Sequence, residues 1–181
     1  MTVVFESGLA ANRSWWALVQ ELVAAPSVVD GVGFVNGLSV RGYDPARARA
    51  FVVGAGGAGA AAVLAAGAEL VGLVDVDQGR AAGVVSHLDE HWPGRAAVGA
   101  AFGHAGLVVN ATPLGMRSVD PLPFDPNELA SHAVVADIIM RPKGTPLLRA
   151  AAEAGYRVHH GHHMLDEQIP LYRDFFCLSP A

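Results

Sequence analysis

The residues with the clearest capacity for chemistry lie in Gly54-Ala55-Gly56-Gly57-Ala58-Gly59, directly after the apolar run Phe51-Val52-Val53. A glycine at a strand end lets the chain turn sharply. A second, lacking a Cβ, lets a pyrophosphate approach the main chain. A third lets the following helix lie tight against the strand. Gly54, Gly56 and Gly59 stand at those places. A helix expected over 58–66 would then offer unpaired N–H groups and a partial positive charge to phosphates. The pattern is weak in isolation and gains weight from its position between strand and helix. The next apolar run, Leu70 to Val74, ends at Asp75. A carboxylate there accepts hydrogen bonds from both hydroxyls of an adenosine ribose and repels a 2′-phosphate, so NAD is expected ahead of NADP. Arg80 is the side chain that could still reach such a phosphate.

Other groups carry chemistry with a plainer alternative beside it. The tract His159-His160-Gly161-His162-His163, followed by Asp166 and Glu167, offers zinc-type ligands. Adjacent histidines on a strand point to opposite faces, so convergence is not implied. The expectation is a loop at a pocket rim with no metal, a single histidine being free to act as acid or base. From spacing alone, Asp30 reads as a helix N-cap, with a catalytic or substrate-binding carboxylate as the other reading. Gln168 reads as a surface amide or a substrate donor. Asp137, inside an apolar run, is a buried structural carboxylate or part of a site.

The elements that must position these groups alternate between strand and helix patterns. Residues 2–5 suggest a strand, and Ser14 a cap for a helix carrying Trp15, Leu18, Val19, Leu22 and Val23 on one face and ended by Pro26. A second helix is expected from Asp30 to near Gly42. Strands follow at 51–53, 70–74, 96–98, 107–109, 133–139 and 157–159, with helices at 58–66, 80–91, 145–155 and 164–176. Thr145-Pro146 carries the cap-then-proline signature of a helix start. The polar, turn-rich loop Asn110 to Met116 leaves the C-terminal end of a strand, the edge where open α/β sheets place ligands. This order implies an α/β chain with a Rossmann-type, doubly wound parallel sheet of about six strands. Residues 1–29 read as a short N-terminal segment and 30–181 as the nucleotide-binding domain.

Composition narrows the function. Of 181 residues, 52% are hydrophobic and 16% charged, which argues for a packed core over disorder. The net charge of −5, without a basic stripe, excludes nucleic-acid binding. Cys177 is the only cysteine, so no disulfide framework exists and a reducing cytoplasm is expected. The uncharged run Ala50 to Ala68 is broken by its glycine turn and reads as buried strand plus helix, with no membrane partner.

Five blocks in order resemble the shikimate/quinate dehydrogenase family: Asp30-Gly31-Val32-Gly33-Phe34; Val53-Gly54-Ala55-Gly56-Gly57-Ala58; Val109-Asn110-Ala111-Thr112-Pro113-Leu114-Gly115-Met116; Ala136-Asp137-Ile138-Ile139 with Pro142 and Thr145-Pro146-Leu147-Leu148; and Gly161 with Met164-Leu165 and Gln168. The resemblance implies an NAD(P)-dependent oxidoreductase acting at C3 of a cyclohexene or cyclohexane carboxylate. It implies that Gly54, Ala55, Gly56, Gly57 and Ala58 hold the pyrophosphate, with Asp75 on the ribose and Asn110 and Thr112 also at the cofactor. Ile138 and Gly161 would lie beside the nicotinamide. Asp30 and Gln168 would bind substrate hydroxyls, with Asp30 the catalytic carboxylate of a lysine–aspartate pair. Met140 would join them where the family has tyrosine. The family's Asn-Thr before the aspartate is Val28-Val29 here, and its lysine-bearing N-terminal lobe is not recognisable. Lys143 is the only lysine, and it reads as a solvated loop charge. A non-catalytic dinucleotide- or partner-binding module is the alternative, and a homodimer the assembly to test.

Overall fold

Six short apolar runs pair side by side in a single parallel sheet of order β3-β2-β1-β4-β5-β6. The computed structural model describes residues 26–55, 57–99 and 101–175. Among these, helix α1 (Pro26–Val40) precedes β1 (Arg49–Val53), α2 (Gly57–Ala65), β2 (Leu70–Val74), α3 (Gln78–Asp89) and β3 (Ala96–Val98). Then come β4 (Leu107–Asn110), β5 (Val134–Asp137), α4 (Pro146–Glu153), β6 (Arg157–His159) and α5 (His162–Phe175). The expected strand 2–5, the helix begun at Ser14, Gly56 and Cys177 lie outside the described residues.

The sheet is covered on both faces because its strands are apolar on both. Ala50 and Val52 of β1 join one core with Phe34 and Leu38 of α1 and Val63 and Leu64 of α2. Phe51 and Val53 join the other with Leu147, Leu148 and Ala151 of α4. The uncharged run from Ala50 to Ala68 is thereby β1, a turn, α2 and the approach to β2; among the described residues no helix is long and apolar enough to cross a membrane.

Pro26 is the first residue of α1; the helix it was expected to end lies outside the described residues. Proline suits that position because its fixed φ is helical and its missing N–H would have had no intrahelical partner. Asp30 therefore lies inside α1 and is not its N-cap. True caps stand elsewhere: Asp77 accepts from Arg80 N at 3.0 Å to open α3, and Thr145 Oγ1 accepts from Leu148 N at 3.3 Å to open α4.

Helices α1 and α5 cross at Gly33. A Cβ there would lie 2.6 Å from the backbone oxygen of Met164 and 2.8 Å from Gln168 Cγ. A Cβ added to Gly83, exposed in α3, would have nothing within 4 Å. Alanine has the better helix propensity by about 1 kcal/mol, whereas a backbone-blocked overpacking costs roughly 1–3 kcal/mol. Gly83→Ala should therefore raise the urea midpoint and Gly33→Ala lower it, with both changes read by equilibrium denaturation; shifts of the same sign would contradict the packing at Gly33.

Candidate active site

The groove forms where β1 and β4 lie side by side. Their C-terminal residues Val53 and Asn110 are paired in register, as are Asn110 and Asp137 across to β5. Gly54 turns there with φ +105°, a left-handed conformation that glycine tolerates. A Cβ on it would meet the Ala111 carbonyl at 2.8 Å, so the loops leaving β1 and β4 touch. Two cavities open on either side of that contact. One of ≈ 600 Å³ runs over Gly54, Ala55, Asp75 and Arg80. The other, ≈ 830 Å³, runs over Asp30, Ile138, Met140, Lys143 and His162. Ala111, Thr112 and Pro113 line both, which makes them one groove along the strand ends.

Asp75 stands at the end of β2. Its Oδ2 accepts from Ala55 N at 2.7 Å, and its Oδ1 from Asp77 N at 2.9 Å. The Ala55 amide, and then that of Asp77, hold its carboxyl below the usual range, so it is ionised at neutral pH. Ala55 lines the narrower cavity, and its N–H is taken by the Asp75 carboxylate.

The loop after β4 is built by Asn110, which has no exposed surface. Its Oδ1 accepts from Thr112 N at 3.0 Å and from Thr112 Oγ1 at 2.7 Å, while its Nδ2 donates to Leu114 O at 3.0 Å. Asn110 thus stands behind the groove and shapes it; Thr112 is the residue of the pair that faces it. Asp137 is likewise structural. It is fully buried, accepts from Ile139 N at 2.9 Å and Thr145 Oγ1 at 2.7 Å, and ties the end of β5 to the start of α4. Burial raises its pKa against those bonds. Gly161 is buried behind the same strand end, where a Cβ would lie 2.5 Å from Ile139 O, so it lets the β6–α5 turn approach while Ile138 meets the cavity.

Asp30 and Gln168 meet across 138 residues of sequence. Gln168 Nε2 donates to Asp30 Oδ1 at 2.8 Å, and Gln168 is 4% exposed, not the surface amide that spacing favoured. Partial burial raises the Asp30 pKa, and the Gln168 bond opposes that shift. Met140 and Met116, both exposed, form apolar wall around them. Arg141 and Lys143 line the same cavity on the loop after β5. Lys143 is an exposed loop charge, as expected, and it also borders this cavity, just past the C-terminal end of β5. The histidines divide. His159 closes β6 and is buried against Phe34, which pushes its pKa down to about 3. His162 and His163 open α5, so the expected loop is the first turn of a helix.

No family model matches the chain. A shikimate dehydrogenase (NADP(+)) of Sinorhizobium medicae is 37% identical over 180 residues, a match covering 95% of this chain and 62% of that protein. The structure of quinate dehydrogenase from Corynebacterium glutamicum in complex with NAD superposes with TM-score 0.72 at 28% identity, over 84% of this chain and 58% of the other. Shikimate 5-dehydrogenase from Thermus thermophilus, in complex with NADP(H) and shikimate, gives TM-score 0.71 at 28% identity over the same shares. The chain therefore spans less than two thirds of the length of these relatives. The glycine turn and the Asn110 loop leave strands of the Rossmann-type sheet, the Asp30–Gln168 pair joins two of the helices that flank it, and over the matched stretch the chain is similar to shikimate and quinate dehydrogenases.

Proposed function

We propose that this chain supplies the cofactor-binding half of a shikimate/quinate-type dehydrogenase, which passes a hydride between NAD(P) and C3 of a hydroxylated cyclohexene or cyclohexane carboxylate. The observation that carries the reading is the single groove joining Asp75 at one end to the Asp30–Gln168 pair at the other. The groove fits a dinucleotide in its chemistry. The ionised Asp75 carboxylate would hold the ribose and the N-terminus of α2 the diphosphate, while Ile138 and Thr112 border the wider end. A nicotinamide dinucleotide, when bound, supplies or accepts the hydride.

The chain's own residues handle orientation and the proton. Gln168 fixes one oxygen of Asp30, leaving the other to accept from a substrate hydroxyl. The same carboxyl, with its raised pKa, takes up the hydroxyl proton as the alcohol is oxidised and returns it in reduction. Lys143 places an amine on the same cavity wall. Met140 and Met116 give the cavity an apolar wall against which a ring could pack.

The relative from Sinorhizobium medicae is named for NADP(+), and the quinate dehydrogenase structure holds NAD. The ionised Asp75 favours NAD in this chain, because it accepts from ribose hydroxyls and repels a 2′-phosphate. Fluorescence titration should show NADH binding at least about tenfold more tightly than NADPH, a gap of about 1.4 kcal/mol. Asp75→Ala should close most of that gap. Because the Asp75 pKa is lowered from an already acidic value, the NADH affinity should be flat between about pH 5 and 8. NADPH binding as tightly as NADH would overturn the preference, and no binding of either would remove the dehydrogenase reading.

Asp30→Ala should reduce turnover of shikimate or quinate with NAD by roughly 10²- to 10⁴-fold. Its NADH affinity should stay within about twofold of the parent, since Asp30 lies outside the Asp75 half of the groove. Parallel loss of both would make Asp30 a packing residue of α1. Val28-Val29 and Met140, where the family has Asn-Thr and tyrosine, favour a second reading, a module that binds dinucleotide without turnover. NADH binding with no conversion of either acid selects that one.

A further inference from the structure

The first turn of α5 carries a group of side chains that neither the cofactor reading nor the packing uses. We propose that His162, His163 and Asp166 form a binding site for one zinc-class divalent cation at the edge of the larger cavity. One ligand atom from each of the three lies within 4.8 Å of the other two. His163 Nδ1 and Asp166 Oδ2 are already 3.6 Å apart, and the two imidazole centroids 4.0 Å. Tetrahedral zinc with nitrogen and oxygen ligands at about 2.0–2.2 Å spaces those ligands roughly 3.4 Å apart, so a movement of about 1 Å closes the site.

An independent observation points the same way. Nδ1 of His162 and Nδ1 of His163 are both buried without a hydrogen-bond partner. Buried polar atoms are normally satisfied, and two orphaned ring nitrogens on consecutive residues call for a shared electrophile. Imidazole nitrogens with one carboxylate are a donor set that suits zinc, cobalt and nickel and disfavours magnesium and calcium. The strand-alternation argument against convergence does not apply here, because the pair sits in a helical turn with Asp166 three residues beyond His163. His162 and Asp166 also line the cavity, so the exchangeable fourth position opens toward it. This inference does not depend on the dehydrogenase reading.

One competitor stands at the site. Arg41 Nη2 lies 3.8 Å from Asp166 Oδ2, and its Nη1 lies 3.9 Å from Glu167 Oε1. A cation on Asp166 leaves Arg41 its second partner. Removing the guanidinium should therefore strengthen metal binding.

The test uses the chain freed of metal by chelator and titrated with cobalt(II), followed by zinc competition. One equivalent of cobalt should bind with the visible absorption of a tetrahedral site, and zinc should bleach it. His163→Ala and Asp166→Asn should each weaken binding at least about tenfold, with the far-UV circular dichroism melt confirming a folded chain. Arg41→Gln should tighten it severalfold. His87 and His91, on and beside α3, are a closely spaced histidine pair outside the β6–α5 cluster. Loss of the bound equivalent in the His87→Gln/His91→Gln chain, its survival in His163→Ala, or no saturable binding at all would overturn the site.

Discussion

The loops that leave β1 and β4 diverge to opposite faces of the sheet while the strands themselves stay paired, and the groove is the space that divergence opens. The crossover from β1 packs as α2 into one core, and the crossover from β4 brings Phe124 and Leu129 into the other. Right-handed parallel crossovers leave no other arrangement at the point where strand order reverses. The two loops must nevertheless touch, and Gly54 against the Ala111 carbonyl is that contact. Side chains then fix each wall. Asp75 pins Ala55 from one direction, and Asn110 bonds Thr112 and Leu114 from the other. The Asn110 amide is fully buried, and leaving such a group unpaired would cost about 1–3 kcal/mol, so the loop after β4 is held in one shape.

The second half of the site depends on a different contact, the close crossing of α1 and α5. Gly33 brings the two backbones together, and Gln168 reaches Asp30 only because they are that close. The Asp30 carboxylate is therefore oriented by an amide with almost no exposed surface. The same crossing brings Arg41, at the end of α1, to the acidic residues of α5. Substrate-side chemistry and the histidine cluster thus share one helix, with Gln168 facing α1 and His162 facing the cavity.

What distinguishes this chain from the proteins it matches is the share of them that it spans, 62% of the Sinorhizobium medicae relative. The glycine turn, Asp75 and the Asn110 loop fall within that share. Lys143, the only lysine, lies at the cavity on the loop after β5 and not in a segment before α1. The wall it occupies also carries Arg141, so the cavity is cationic on that side and carboxylate-bearing on the other, where Asp30 stands.

Much of the sheet was legible in the residues alone. Short runs such as Phe51-Val52-Val53 and Leu107-Val108-Val109, each bounded by a turn, can only be strands buried on both faces, and their alternation with helices forces parallel pairing. The glycine turn, Asp75 and the cap at Thr145 were local signals, since each follows from a residue's own conformational limits or its nearest neighbours. Proline both ends and begins helices, and the start of α1 at Pro26 could not be read from the residue alone. Asp30 misled for the same reason: a cap and a mid-helix carboxylate look alike until the helix start is known. Contacts across long separations were left to the tertiary structure. Gln168 became a buried partner, Ala55 turned its amide to Asp75, Asn110 withdrew behind the groove, and His162 and His163 came together. Each depends on where two elements cross, and spacing along one chain carries no information about the distance between elements that are far apart in it.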